Sequence, residues 1–246
     1  MTKNRIALVI IDTDNYTLAK RALELTLSKF FTKEVLIFSD QPAHWKGFSV
    51  IPIKKINSIN SYNECIIKFL PKYLKSEFAL IIQYDGFVLD NECWSEYFLR
   101  FDYIGAPWFA NNEWVVGNGG FSLRSKKLIE SMAKKLDLDF SVAEDICICN
   151  IERKSLQLSG LEFAPLEVAR RFSFEWPPVK WGTFGFHGTF NLPFVYKDDI
   201  NFLLHSFTRN TLKRRWQYIQ AGIVRYVPDK IEDFHKLLLN NEIDHP

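Results

Sequence analysis

The sequence lacks any apolar run of the length that crosses a bilayer, which is roughly 18 to 20 residues. Its first residues lead into a short strand-like run and not into a signal-peptide pattern, so we expect neither a secretion signal nor a transmembrane anchor. Cysteine is also scarce, and CxxC spacing is absent from its four positions: Cys65, Cys93, Cys147 and Cys149. A typical zinc site and a disulfide framework are therefore excluded, and reduced thiols in a cytoplasmic protein are the better interpretation.

An excess of charge of either sign is missing too, because 31 basic residues face 29 acidic ones and the formal net charge is +2. The composition gives no reason to expect a nucleic-acid partner. The absence of a GxxxxGKS or GxxxxGKT loop and of a dense aspartate cluster argues against a nucleotidyltransferase or a phosphohydrolase. What is present is an ordinary folded chain of 246 residues, 47% apolar and rich in phenylalanine.

Four short apolar runs predict β-strands, at residues 5–11, 34–38, 48–53 and 78–82. Helical periodicity follows the first and third of them, at residues 16–30 and 62–74, and returns at 126–136 and 142–156. This alternation predicts an α/β fold, with a mostly parallel sheet flanked by helices. Because residues 198–246 are amphipathic and helical in pattern, we divide the chain into a sheet domain at 1–197 and a C-terminal helical extension at 198–246.

Ligands of such sheets bind beyond the carboxyl ends of the strands, so the residues after each strand are the first candidates. Asp85 and Gly86 follow the strand at 78–82, where a carboxylate could hold a divalent cation against a diphosphate. The alternative for Asp85 is an ordinary turn residue. Asp12 and Asp14 after the first strand spell D-x-D literally, but a helix begins there, and Thr13 or Asp14 could cap it. We interpret that pair as capping residues or nucleotide contacts.

Three glycines surround Asn118 in the stretch VGNGGFSLRS, at positions 117, 119 and 120. Glycine at this density lets the backbone approach a ligand or a neighbouring strand closely, although a tight hairpin turn would use the same residues. Ser125 at the end of the stretch predicts the N-cap of the helix that begins at Lys126.

The stretch FSVAEDICIC matches a capping box, with Ser141 at the cap and Glu144 three residues later. Glu144 then has a structural role, whereas the next residue, Asp145, is free to accept a proton from an attacking hydroxyl. The alternative for Asp145 is a favourable interaction with the helix dipole.

The stretch WGTFGFHGT places His187 between Gly185 and Gly188, where a metal or a phosphate could reach its imidazole. A lone histidine is more often structural, and that alternative stays open. Trp108 and Trp114 bracket a polar segment at 111–113 and could stack on sugar faces, with core packing as the equal alternative.

Six stretches taken together and in order resemble the DUF5672 family, whose members look like glycosyltransferases of the Rossmann-like GT-A fold: IIQYDGFVL, DYIGAPW, VGNGGFSLRS, AEDIC, FAPLEVARRFSFE and FGFHG. The resemblance covers about residues 5–190 and implies transfer of a sugar from a nucleotide sugar, most readily a UDP-sugar, to a hydroxyl of a glycan or lipid-linked acceptor. It implies that Asp145 is the base of an inverting reaction, and that Asp85 and His187 hold Mn²⁺ or Mg²⁺. Donor or acceptor contacts are implied for Asp12, Thr13, Asp40, Gln83, Asp85, Gly86, Trp108, Asn118, Gly119, Gly120 and Glu144.

One position departs from the family pattern, because Gln83 stands where the first carboxylate of the metal-binding D-x-D motif is expected. Fewer anionic ligands weaken cation binding, although diphosphate oxygens can complete the shell. The departure leaves open a second reading, in which the chain is a catalytically inactive module that binds a nucleotide sugar or a glycan.

The segment 209–225 contains five basic residues and no acidic one. In a helix, Leu212, Trp216, Ile219 and Ile223 would fall along one face. Such a helix suits peripheral contact with an anionic membrane surface, which is where a lipid-linked acceptor would be found. The alternative is a solvated basic face whose apolar stripe packs on the sheet domain.

Overall fold

A computed structural model describes residues 5–110, 113–176 and 182–240 of the chain. The fold is mixed α/β, as the sequence predicts. The strands are Ile6–Ile11 (β1), Glu34–Ser39 (β2), Val50–Pro52 (β3), Phe78–Ile82 (β4), Tyr103–Gly105 (β5), Pro107–Ala110 (β6), Glu113–Val116 (β7), Ser122–Ser125 (β8), Ser173–Phe174 (β9) and Gly185–Phe186 (β10).

Six of these strands form the central sheet, in the order β3-β2-β1-β4-β8-β5. The first four run parallel, whereas β8 is antiparallel to both β4 and β5. Every residue of β1 and β4 is buried, as expected for strands covered by structure on both faces. Because Ile10 of β1 pairs with Ile82 of β4, the two strands end side by side. The residues that follow them are thereby brought to one edge of the sheet.

Within the described residues, ten α-helical segments surround the sheet, and the last three form the C-terminal extension: Tyr16–Lys29 (α1), Ile59–Glu64 (α2), Lys126–Lys134 (α3), Glu144–Ile146 (α4), Arg153–Leu158 (α5), Leu166–Phe172 (α6), Leu192–Val195 (α7), Ile200–Ser206 (α8), Arg209–Tyr226 (α9) and Ile231–Asn240 (α10). The helix predicted at 142–156 is interrupted, because a π-helical turn at Cys147–Ile151 separates α4 from α5. Within the described ranges, the structure has no helix that combines the length and the apolar character needed to traverse a bilayer.

The extension packs against the sheet domain through a second apolar cluster. Leu203, Leu212 and Ile219 of the extension lie in this cluster together with Leu18 of α1 and Phe87. Helices make up most of the extension as far as Asn240, as its pattern predicts, while 241–246 lie outside the described residues. The division of the chain at 197 and 198 stays a prediction.

Two predicted helix caps are wrong and one is confirmed. The hydroxyl of Ser125 accepts the backbone N–H of Leu128 at 3.0 Å, as expected for the cap of α3. Helix α1 instead starts after Asn15 without a side-chain cap, and neither Thr13 nor Asp14 serves it. The Thr13 hydroxyl accepts the N–H of Ile56 at 3.0 Å.

The capping box predicted for Ser141 and Glu144 is also absent. The Ser141 hydroxyl donates to the carboxylate of Asp139 at 2.6 Å, and α4 begins after Ala143. Glu144 is only 3% exposed, and its carboxylate pairs with Arg124. Glu144 therefore forms an ion pair with Arg124 instead of the capping hydrogen bond that the local pattern predicts.

Candidate functional site

The carboxyl ends of β1 and β4 carry three of the candidate polar side chains. Asp12 directly follows β1, and Gln83 and Asp85 follow β4. Residues 83–86 form a tight turn, in which Gln83 and Gly86 exchange backbone hydrogen bonds of 2.8 and 3.1 Å. The turn aims the side chains of Gln83 and Asp85 at the segment that contains His187.

Asp85 is buried, and its two carboxylate oxygens differ in their hydrogen bonding. Oδ2 accepts a hydrogen bond of 2.7 Å from the hydroxyl of Thr189. Oδ1 is buried without a hydrogen-bond partner among the described residues, and His187 Nε2 lies 3.6 Å from it. Because an unsatisfied buried carboxylate oxygen is costly, Oδ1 is well suited to accept a cation.

His187 is surrounded by four polar side chains. Its Nε2 lies 3.3 Å from Gln83 Oε1, while its Nδ1 lies 2.8 Å from Asn118 Nδ2 and 3.3 Å from Glu175 Oε1. Burial alone would lower the pKa of His187, but the carboxylates of Asp85 and Glu175 outweigh it and raise the pKa above its ordinary value. The imidazole is thus held between one carboxylate on each side.

The orientation of the Gln83 amide is fixed by Tyr62, to whose hydroxyl Gln83 Nε2 donates at 2.9 Å. The amide oxygen therefore faces His187 Nε2, the same nitrogen that lies near Asp85 Oδ1. The described residues contain no cluster of three or more His, Cys, Asp and Glu side chains able to hold a metal. With Gln83 Oε1 included, however, three ligand atoms converge, so the site fits a cation whose coordination shell is completed by ligand oxygens.

The glycine loop, residues 117–120 after β7, contacts residues on both sides of the site. Asn118 adopts the left-handed conformation with φ of 59°, and its side-chain oxygen accepts the N–H of Phe121. A Cβ on Gly120 would lie 2.1 Å from His187 Nε2, and one on Gly119 would lie 2.4 Å from Glu144 Oε1. In the structure Gly119 and Gly120 closely approach protein side chains, whereas their approach to a ligand stays a prediction.

Asp145 lies on the other side of this loop, partly exposed. Its Oδ2 accepts the N–H of Gly119 at 2.8 Å, and its Oδ1 accepts the N–H of Ile146 at the same distance. The carboxylate of Asp145 is also among the groups that raise the pKa of His187. The loop therefore lies between a partly exposed carboxylate and the Asp85–His187 pair.

Behind Asp145, sequence reasoning missed a buried ion pair. Arg124 of β8 is 2% exposed and donates to Glu144 Oε1 at 2.9 Å, and the same guanidinium nitrogen lies 3.3 Å from the carbonyl of Gly119. Burial raises the pKa of Glu144, and the charge of Arg124 opposes the rise. A charged residue inside the buried strand SLRS was the signal available for Arg124 in the sequence.

Glu175, Tyr84 and Thr189 were also missed, although Tyr84 and Glu175 stand in stretches that carry the family resemblance. Their neighbours in the site are distant in sequence, as in the Thr189–Asp85 bond, which joins positions 104 residues apart. Local patterns contain no signal for such contacts.

Other predicted residues lie away from this cluster. Asp40 accepts a hydrogen bond of 2.8 Å from Tyr16, which stacks on His44. The ring of Trp108 packs against Gly117, whose substitution would bring a Cβ within 2.2 Å of it, whereas Trp114 is 45% exposed. Asn111, Asn112 and Trp181 lie outside the described residues.

Two surface cavities, of about 420 and 390 Å³, also lie away from the cluster. Tyr16 and Asp199 line the first, and Trp114 and Arg153 line the second. Neither of these two cavities is lined by Asp85, Asp145 or His187.

Asp12 is buried, and its Oδ1 accepts the N–H groups of Asp14 and Asn15 at 2.9 and 2.7 Å. Burial raises the pKa of Asp12 to about 7 from an ordinary 3.8, although these two hydrogen bonds oppose the rise. A carboxyl group whose pKa is higher in the folded than in the unfolded chain stabilises the fold in its protonated form. Its stabilising contribution is complete below pH 3.8 and is lost as the pH rises through 7.

We therefore expect Asp12→Asn to be less sensitive to pH than the wild type. Between pH 4 and 8, its free energy of unfolding should rise relative to that of the wild type by about 1–4 kcal/mol, measured by urea denaturation. Asp137→Asn, which changes an exposed carboxylate, is the control and should follow the wild type. Parallel pH profiles for wild type and Asp12→Asn would show that Asp12 stays ionised in the fold.

Comparison with solved structures finds partial likenesses, among them a mannosyltransferase and a bifunctional enzyme. The mannosyltransferase PcManGT from Pyrobaculum calidifontis, solved with GDP-Man and Mn²⁺, is 9% identical, with a TM-score of 0.48 over 67% of this chain and 55% of that one. The bifunctional IspDF from Campylobacter jejuni is 14% identical, with a TM-score of 0.37 over 56% and 46%. S. aureus TarS 1–349 with UDP-GlcNAc is 14% identical, with a TM-score of 0.36 over 52% and 47%.

The chain thus spans about half the length of each of these solved chains, and likenesses with such low TM-scores say nothing about its substrate. A search of curated proteins finds no match. A family model matches residues 46–187, which include Gln83, Asp85, the glycine loop, Asp145 and His187. Because this match covers more than half of the chain, the protein belongs to the family described as "Protein of unknown function (DUF5672)".

Proposed function

We propose that the protein is a glycosyltransferase of the GT-A type that moves a sugar from a nucleotide sugar to a hydroxyl acceptor. The observation that carries the proposal is the pairing of two carboxylates across the glycine loop. Asp85 presents an unpartnered oxygen beside His187, and Asp145 is partly exposed on the other side. Asp85 is suited to bind a cation that neutralises a leaving diphosphate, and Asp145 is suited to accept a proton.

The donor diphosphate binds at the strand edge in this proposal. Asp85 Oδ1, His187 Nε2 and Gln83 Oε1 are the atoms that would hold Mn²⁺ or Mg²⁺. Bound there, the cation would neutralise charge on the departing nucleoside diphosphate. Cation binding there requires the ring proton of His187 on Nδ1, facing Glu175 Oε1 at 3.3 Å, so Asn118 Nδ2 would have to give up its 2.8 Å contact with that nitrogen.

Asp145 acts as the general base. It takes the proton of the acceptor hydroxyl while the hydroxyl oxygen forms a bond to the anomeric carbon, and the bond from that carbon to the diphosphate oxygen breaks with its electron pair. A single displacement of this kind inverts the anomeric configuration. The N–H groups of Gly119 and Ile146 hold the carboxylate in place for the transfer.

An inactive module that binds a nucleotide sugar or a glycan is the second candidate. The amide of Gln83, held by Tyr62 where a carboxylate is expected, favours it. A thermal-shift screen of UDP-, GDP-, CMP- and dTDP-sugars, with and without Mn²⁺, would identify a donor for either candidate. Slow hydrolysis of the donor that binds would then support the enzyme, and binding without any hydrolysis or transfer would support the module.

We also propose a cytoplasmic location, with a glycan or lipid-linked acceptor and peripheral membrane contact through 209–225. Leu212, Ile219 and Ile223 of α9 are buried against the sheet domain and cannot enter a bilayer. The contact would therefore be electrostatic and involve the exposed basic side chains, so it should weaken with salt.

The cation role predicts that UDP binds wild-type protein about tenfold more tightly with Mn²⁺ than without it, and that Asp85→Ala loses this enhancement. Removing Asp85 leaves His187 and the neutral Gln83 as the protein ligands, which are too few for a hard cation. Calorimetric titration measures both affinities, with Asp137→Ala as the control. An equal enhancement in wild type and Asp85→Ala would refute the assignment of Asp85.

A further inference from the structure

One face of α9 packs along the edge of the candidate site. At its start, the Thr208 hydroxyl caps the helix, and the Thr211 hydroxyl donates to Asn15 Oδ1 at 2.5 Å, three residues after Asp12. Further along, Ile219 is fully buried, and Gly222 lies so close to the carbonyl of Phe190 that a Cβ would be 2.3 Å away. This face therefore follows the loops that carry Asp12 and Thr189.

Arg215 lies on the same face, four residues after Thr211 and four before Ile219. The other residues of this face have apolar or hydroxyl side chains, whereas Arg215 is charged and exposed. None of the ion pairs among the described residues includes it. Its guanidinium lies 5.9 Å from the ring of Tyr218, one turn along the helix.

Helix α9 packs against the turn at Thr189–Asn191, and Arg215 lies between Gly222, which contacts this turn, and Thr211, which contacts Asn15. The Tyr84 hydroxyl lies 3.4 Å from Thr189 Oγ1, the group that donates to Asp85, so the space beside Arg215 adjoins the proposed diphosphate position.

We propose that Arg215 binds the diphosphate of the donor, so that the C-terminal extension completes the site of the sheet domain. The inference rests on the proposed function. Gln83 contributes no negative charge to a cation, so cation binding is weak there, whereas Arg215 supplies a positive charge with or without a cation. A guanidinium also presents paired N–H donors that match two phosphate oxygens.

The test compares three variants, Arg215→Gln, Arg215→Lys and the control Arg214→Gln, which changes the adjacent exposed arginine. Calorimetric titration with UDP and with uridine, in the absence and presence of Mn²⁺, separates the phosphate contacts from those of the nucleoside. We expect Arg215→Gln to weaken UDP binding about tenfold to a hundredfold while uridine binding stays unchanged. Arg215→Lys should recover part of the loss, and Arg214→Gln should bind UDP as the wild type does.

The failures of the two proposals are distinguishable in this experiment. If the wild type binds UDP and Arg215→Gln binds it equally well, Arg215 has no role in diphosphate binding and the proposed function stands. If the wild type does not bind UDP, the same titrations are made with GDP, CMP and dTDP, and if none of these binds, both proposals fail. Equal weakening by Arg214→Gln would show a general effect of helix charge and would overturn the specific contact. Thermal unfolding of each variant checks that the exposed substitution leaves the fold intact.

Discussion

Replacing Asp145 by asparagine is expected to reduce sugar transfer by about a hundredfold to ten-thousandfold while leaving donor affinity nearly unchanged. The amide keeps the shape of the side chain and one oxygen to accept the N–H of Gly119, but it cannot take a proton from the acceptor hydroxyl. Turnover with a donor identified by screening measures the loss, and titration with the corresponding nucleoside diphosphate measures donor binding.

The control for this experiment is Asp137→Asn, an exposed aspartate in the segment between α3 and α4. It changes the net charge by the same amount and should leave turnover at the wild-type value. If Asp145→Asn turns over at nearly the wild-type rate, the base is another residue. If the Asp145→Asn variant also loses donor binding, Asp145 contributes to donor binding. The loss of turnover is then no evidence that Asp145 is the base.

A large effect on stability is expected at Glu144, for a reason different from the one that the sequence indicated. Glu144→Gln leaves the guanidinium of Arg124 buried without a counter-charge, because the two side chains are only 4% and 2% exposed. Removing one partner of a buried pair typically costs about 3–5 kcal/mol. Urea denaturation of the wild type and the variant measures the loss.

The double variant Arg124→Met with Glu144→Leu tests whether charge is the cause. Replacing both partners by apolar residues of similar volume removes the unpaired charge, so the double variant should be more stable than Glu144→Gln. A loss below about 1 kcal/mol for Glu144→Gln alone would mean that water or a neighbouring group compensates Arg124. The pair also positions Gly119, so transfer should fall in the single variant even where it remains folded.

The sheet could be predicted because its strands are continuous buried runs, as in β1 and β4, and burial on both faces leaves this mark on the sequence. Asp85 and Gly86 could be singled out for the same reason, since they directly follow such a run. The interruption of the predicted helix at 142–156 was not visible, because the π-helical turn at Cys147–Ile151 preserves helical composition. Patterns of composition detect helical character better than helical continuity.

The contacts that define the site were harder to foresee. The Ser141 and Glu144 pattern matched a capping box, but Glu144 pairs instead with Arg124, 20 residues earlier. The side chain of His187 meets Gln83 across 104 positions of sequence. Such contacts depend on the tertiary fold, so the spacing of residues in the local sequence does not predict them.

The main chain at Gly119 and Gly120 lies between the Asp145 carboxylate and the Asp85–His187 pair and contacts both. His187 fills the space on one side, and Glu144 fills it on the other, so no side chain can be added to either glycine without displacing one of them. In the proposed function, the distance between Asp145 and the diphosphate position would therefore be set by the backbone of this loop and not by side-chain rotamers. Acceptors of different size would then be accommodated by the loops around the site, because neither glycine can gain a side chain.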